Sequence, residues 1–250
     1  MLSLIAALAL AASPEFSFGF TNQDGTLLLA LPPGSNPSSL TQVVCDGRAL
    51  EVKYLREQPK GATDTGRQTA RNFTQTKGAL FKVKGAAPAD ALCLLGSKAA
   101  FKKRALLPVN TETGDCMENT LALAGSLTKR EVEKCVFTGA FSGGQLAFAS
   151  YKLDGSSALA AVILVPEKGA PAVRRFPATW ERGAPSCWRA DDGCEFDASS
   201  YRVAFAMTGP SGLELYALWA GAEGENAEVL RVKGASLEVA ASASRYWSPE

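Results

Sequence analysis

Asp191, Asp192, Glu195 and Asp197 place four carboxylates within one short stretch. Hard oxygen donors at that density suit Ca²⁺, which takes roughly six to eight of them. The spacing matches no EF-hand loop, and the alternative reading is an exposed acidic hairpin tip turning at Asp192-Gly193. No other cofactor is expected.

A second concentration of chemistry is basic. Arg48–Arg104 holds 13 Lys/Arg against Glu51, Glu57, Asp64 and Asp90. Lys82, Lys84, Lys102, Lys103 and Arg104 lie close to Phe81 and Phe101, and Lys53 adjoins Tyr54. Such a segment steers anionic partners over long range: an anionic polymer, a glycan or an acidic protein. Aromatic rings among cations also stack on single-stranded nucleic acid, but an exported protein seldom meets it. Phe81, beside Leu80 and Val83, reads more simply as strand core. Trp188 is a further candidate contact, because tryptophan is enriched at binding hot spots.

Other chemistry is excluded. The chain has no histidine, so Ser-His-Asp and Cys-His catalysis, His-ligated zinc and imidazole pH switching are absent. No G-x-S-x-G, P-loop or G-x-G-x-x-G string occurs in a fitting context, and Ser97-Lys98 lacks the S-x-x-K spacing. A hydrolase built on two carboxylates, such as a glycosidase, remains open, since no motif is needed to bring two acids together from neighbouring strands.

The elements that must position these groups are strands. Phe16, Phe18 and Phe20 alternate with Glu15, Ser17 and Gly19, and Leu50, Val52 and Tyr54 alternate with Glu51 and Lys53. Period-two alternation puts the two sets on opposite faces of a sheet. Asp24-Gly25, Asp46-Gly47, Asp154-Gly155 and Asp192-Gly193 supply hairpin turns. A weak repeat follows: Leu146–Ala149, Gly155, Ala158–Val165 and Val173–Phe176 parallel Val203–Ala206, Gly212, Leu213–Ala220 and Val229–Val232. Fainter copies start at Phe18 and Phe73. The expected fold is mainly β: repeated antiparallel meanders forming two sandwich- or barrel-like halves, or else a single small β-propeller. One short helix is expected in a central insertion, from about Lys129 to Cys135, because Thr128-Lys-Arg-Glu131 fits a capping box.

Six cysteines without C-x-x-C spacing favour structural disulfides. Pairing neighbours gives Cys45–Cys93, Cys116–Cys135 and Cys187–Cys194. Leu2–Ala12 is an apolar run too short to span a bilayer but suited to a secretory signal over residues 1–13. No stable membrane span is expected. The chain then divides into a β-rich basic half (14–110), a stapled insertion (111–139) and a β-rich acidic half (140–250). Residues 13–110 carry a net +6 and residues 111–250 a net −5. The combined expectation is a non-catalytic, secreted or periplasmic β protein that binds a macromolecule. The alternatives are the carboxylate hydrolase and an assembly module working through exposed strand edges.

Overall fold

The computed structural model describes residues 15–32, 36–180, 196–221 and 223–247. The expected signal segment, Cys187–Cys194, Trp188, Asp191, Asp192 and Glu195 lie outside the described residues. The fold is mainly β and has two barrel-like units.

Six strands build the first: β1 (Phe16–Thr21), β2 (Leu27–Ala30), β3 (Gln42–Cys45), β4 (Arg48–Gln58), β5 (Gly78–Val83) and β6 (Leu92–Gly96). They close in the order β1-β2-β5-β4-β3-β6, with β6 antiparallel to β1. Leu28, Val43, Val52, Phe81, Val83 and Leu95 fill the interior. The Cys45–Cys93 disulfide sits among them, both residues fully buried. The β1–β2 hairpin turns at Asp24-Gly25. Asp24 accepts hydrogen bonds from the Thr26 amide and hydroxyl, and Gly25 has φ +69° with Ala87 O only 1.8 Å from where a Cβ would stand. No other residue fits that corner.

After α1 (Lys98–Lys102), the second unit comprises β7 (Ala105–Pro108), β8 (Gly114–Asp115), α2 (Glu118–Thr128), β9 (Val132–Phe141), β10 (Gly144–Asp154), β11 (Ser157–Pro166), β12 (Ala172–Thr179), β13 (Tyr201–Gly209), β14 (Gly212–Gly221), β15 (Gly224–Lys233) and β16 (Ser236–Tyr246). They form one sheet in the order β7-β13-β14-β15-β16-β12-β11-β10-β9-β8, curled into a half-barrel. The expected repeat is present here as two antiparallel meanders, β10-β11-β12 and β13-β14-β15. They meet where β12 runs parallel to β16, through the single register pair Val173–Ser236. In the first unit the fainter copies are not meanders: β3 pairs with β4 and β6 rather than β2, and Phe73–Thr76 forms turns. Short strands that must close a six-membered ring are paired in a permuted order.

The insertion does hold a helix, but not where the capping box put it. α2 ends at Thr128, and Lys129 adopts the left-handed conformation at its C-terminus. The Thr128 hydroxyl donates to Ala124 O instead of capping a start, and Glu131 pairs with Lys152. Leu-Ala-Leu-Ala at 121–124 is the better helix former, while Val132, Val136 and Phe137 favour a strand. The Cys116–Cys135 disulfide holds α2 against β9. Ala124 is fully buried over the outer side chains of β10 and β11 (Ala147, Ala149, Leu159, Ile163).

The units are docked face to face. Outward-pointing Phe16, Phe18 and Phe20 of β1 share one core with Phe205, Met207, Tyr216, Leu218 and Val229 of β13–β15. The buried Tyr216 hydroxyl donates to Leu92 O at 3.0 Å. The other face of the curled sheet carries its own core, including Phe148, Val162, Tyr201, Leu215 and Leu230.

Candidate functional site

The register of β4 and β5 sets Lys53 directly opposite Lys82. Both side chains are exposed, and neither has an ion-pair partner among the described residues. Like charges in direct cross-strand register destabilise a sheet, so this pair needs a reason other than folding. Lys84, at the end of β5, bonds Glu51 at 2.9 Å. Hydrogen bonding and charge from Lys84, with a smaller contribution from Lys98, hold the Glu51 carboxyl below its usual pKa. Lys98 is drawn to this edge because its amide bonds the Thr41 hydroxyl, while Thr41 O accepts from the Val52 amide. Lys102 follows Lys98 one turn later on α1, and i,i+4 residues share a helix face. Five exposed lysines (Lys53, Lys82, Lys84, Lys98 and Lys102) thus form a band from β5 across β4 to α1, with Glu51 its central acid. Adjacent strands lie about 4.8 Å apart, so the band presents closely spaced cations on a convex barrel wall.

The sequence-derived candidates divide accordingly. Lys82 and Lys84 are brought together, and Lys102 and Lys103 lie exposed at α1. Arg104 is withdrawn. Its side chain is 3% exposed, and its guanidinium bonds Glu214 at 2.6 Å and Glu15 at 2.8 Å. Arg231 bonds the same two acids. Arg104 is therefore a clamp between the units and is not available to a ligand. Lys53 and Lys98 join the candidates only through the fold: strand alternation exposes Lys53, but no local pattern records the register that sets it against Lys82.

The docking of the two halves also bears on the charge asymmetry. Arg202 pairs with Asp46, Arg245 with Asp90, and Arg231 with Glu15. Arginines of the acidic half thus occupy three of the seven acids in residues 13–110. Docking leaves the lysine band with fewer compensating acids than the sequence alone implies.

The acidic candidates are less well supported by geometry. Asp197 caps a short turn, accepting from the Ser199 amide and hydroxyl and the Ser200 amide. Its three proposed companions lie outside the described residues, and no group of three or more metal-ligating residues occurs among those described. Carboxylates that the topology does bring together, Glu15 with Glu214 and Asp90 with Glu225, are bridged by arginines. Burial alone would raise the Glu214 pKa, but hydrogen bonds and charge from Arg104 and Arg231 outweigh it and hold it below its usual value. That is an ionised structural group, the opposite of the protonated acid a glycosidase needs. The outer strands of the second sheet are β7, of four residues, and β8, of two, which pairs only with Val136 and Phe137 of β9.

No protein-family model, curated protein or solved structure matches the chain.

The chain's functional reading therefore rests on its own geometry. Two disulfides are formed and no free cysteine occurs among the described residues. No described helix is long and apolar enough to cross a membrane.

Proposed function

We propose that this is a non-catalytic binding protein of an oxidising, extracytoplasmic compartment, and that the lysine band on its barrel holds an anionic polysaccharide. The observation that carries the reading is the unpaired Lys53–Lys82 register pair. A sheet tolerates such opposition at some expense in stability, and an approaching anionic group removes it. The convex wall, with cations repeating from strand to strand, suits an extended polymer better than a small molecule, which calls for a concave pocket. The two disulfides and the apolar Leu2–Ala12 run support export.

Heparin serves as the probe. Retention is expected to fall steeply as salt rises from about 50 to 500 mM, because exposed charges are screened over a Debye length that shrinks across that range. The Lys53→Glu/Lys82→Glu double variant should bind at least about tenfold more weakly at low salt. Single Lys53→Glu should weaken binding while leaving thermal stability equal or slightly higher, since it turns a repulsive pair into an attractive one. Binding indifferent to salt, or unchanged in the double variant, would show that the band is only a solvated face. Retention of an acidic protein but not of heparin would replace the polysaccharide with a protein partner.

A further inference from the structure

The concave side of the curled sheet holds a polar arrangement that the lysine band does not explain. Tyr201 on β13 stands directly opposite Trp219 on β14. The Tyr201 hydroxyl and the Trp219 Nε1 are both buried and have no hydrogen-bond partner among the described residues. Tyr201 is 4% exposed. Buried donors are almost always satisfied, and two orphans on neighbouring residues call for an acceptor that both can reach. Around them Phe148, Phe176 and Phe196 pack edge to face, with ring centroids 5.0–6.3 Å apart across the group.

Charge is present there but already balanced. Arg174 of β12 reaches Glu228 of β15, Nη2 to Oε1 at 3.0 Å and Nε to Oε2 at 3.4 Å. β16 lies between those strands in the sheet, so the pair crosses the concave side. The Arg174 guanidinium also lies 5.1 Å from the Phe176 ring centre. Burial, reinforced by the Glu228 charge and only partly offset by Arg174, keeps the Tyr201 phenol protonated and thus a donor.

Space and access follow from the fold. Eight long strands, β9–β16, make this wall, and a curl of about eight strands is wide enough to be filled by side chains or to hold one small ligand. Its inner face carries small residues at Ala158, Ala160, Ala172 and Ala217, all buried. A cavity of about 330 Å³ borders this cluster through Phe196, lined also by Glu133, Ser150, Lys152, Ala158 and Trp180. With one register pair joining them, β12 and β16 leave a seam in the wall.

The geometry points to a second, internal binding site, in which the Tyr201 hydroxyl and Trp219 Nε1 converge on the carbonyl-type acceptor of a small, neutral, mainly apolar molecule packed against Phe148, Phe176 and Phe196. An anionic ligand fits poorly: among the described residues, Arg174 is paired with Glu228 and Lys152 with Glu131, and Glu228 would repel it. The ring-lined wall with few convergent polar groups is the usual build of a small-molecule site.

The test uses the full-length protein and Nile red, a neutral dye with one ring carbonyl whose emission rises in apolar surroundings. Saturable binding of one dye per chain is expected, insensitive to salt between about 50 and 500 mM. Tyr201→Phe and Trp219→Phe should each weaken it about tenfold, the loss of one donor to a buried acceptor. Heparin retention should stay unchanged in both, which shows that the variants are folded and separates this site from the lysine band. Absence of saturable binding overturns the proposal. So does equal binding by Tyr201→Phe and the parent protein, which would mean that the two donors serve internal water and that the dye sits elsewhere.

Discussion

Glu214→Ala is expected to lower the unfolding free energy by about 3–5 kcal/mol, the usual penalty for leaving a buried charge without its partner. Glu214 is fully buried and accepts from Arg104 Nε at 2.6 Å and Arg231 Nε at 2.6 Å. Removing it leaves the Arg104 guanidinium, whose side chain is 3% exposed, with the half-exposed Glu15, which it meets through both Nη1 and Nη2, and the Ala100 carbonyl. Glu214→Gln should cost less, because the amide oxygen still accepts one hydrogen bond. Urea melts at neutral pH measure both. The same carboxylate predicts an acid dependence. Its pKa in the folded protein lies below the ordinary 4.5, so the stability it contributes is fully present above the unfolded-state value. That contribution is lost as pH falls through the lower, folded-state one. The parent protein should weaken below about pH 4.5, and the alanine variant should show a flatter acid limb. A Glu214→Ala protein as stable as the parent at neutral pH would mean that the clamp contributes nothing net.

Replacing Cys45 and Cys93 together by alanine should destabilise the protein by about 4 kcal/mol, and replacing Cys116 and Cys135 by about 3 kcal/mol, on chain-entropy grounds. The first bridge spans 48 residues and the second 19, and the longer loop loses more freedom when it is closed in the unfolded chain. The order matters more than either value. Location reinforces it: Cys45 and Cys93 are 1% and 0% exposed inside the barrel, whereas Cys116 lies at the partly open foot of α2. A reductant acting on the folded protein should therefore open Cys116–Cys135 first, with Cys45–Cys93 resisting until the barrel unfolds. Alkylation followed by peptide mass mapping reads that order, and the reverse order would contradict the assignment of the barrel bridge to the core.

Much of this fold is written in local pattern. The alternation at Phe16, Phe18 and Phe20 gives β1, and Asp24-Gly25 gives its turn. The Gly155 and Gly212 repeats give two meanders, and neighbour pairing gives Cys45–Cys93 and Cys116–Cys135. What pattern does not carry is which strand lies beside which. The six-strand order, with β5 between β2 and β4, depends on closing a ring, and no short window records that. The helix lies upstream of the capping-box string for a related reason. Thr128-Lys-Arg-Glu131 satisfies a capping rule locally, but Val132–Phe141 is claimed by pairing with β10, and tertiary pairing outweighs a cap. The candidate sites follow the same division. Exposure of Lys82 and Lys84 is local and was legible. The withdrawal of Arg104 into a clamp with Glu214 depends on a contact made far along the chain, whereas Tyr201 and Trp219 face each other across the β13–β14 hairpin.

The outward phenylalanines of β1 have one more consequence. They are made early in synthesis, yet the side chains that cover them, Phe205, Tyr216 and Val229 among them, belong to the last third of the chain. A barrel formed from residues 16–96 alone would leave that apolar wall bare. A fragment cut after it is therefore expected to associate through this wall rather than serve as a separate module. Two architectures share one molecule and one apolar core.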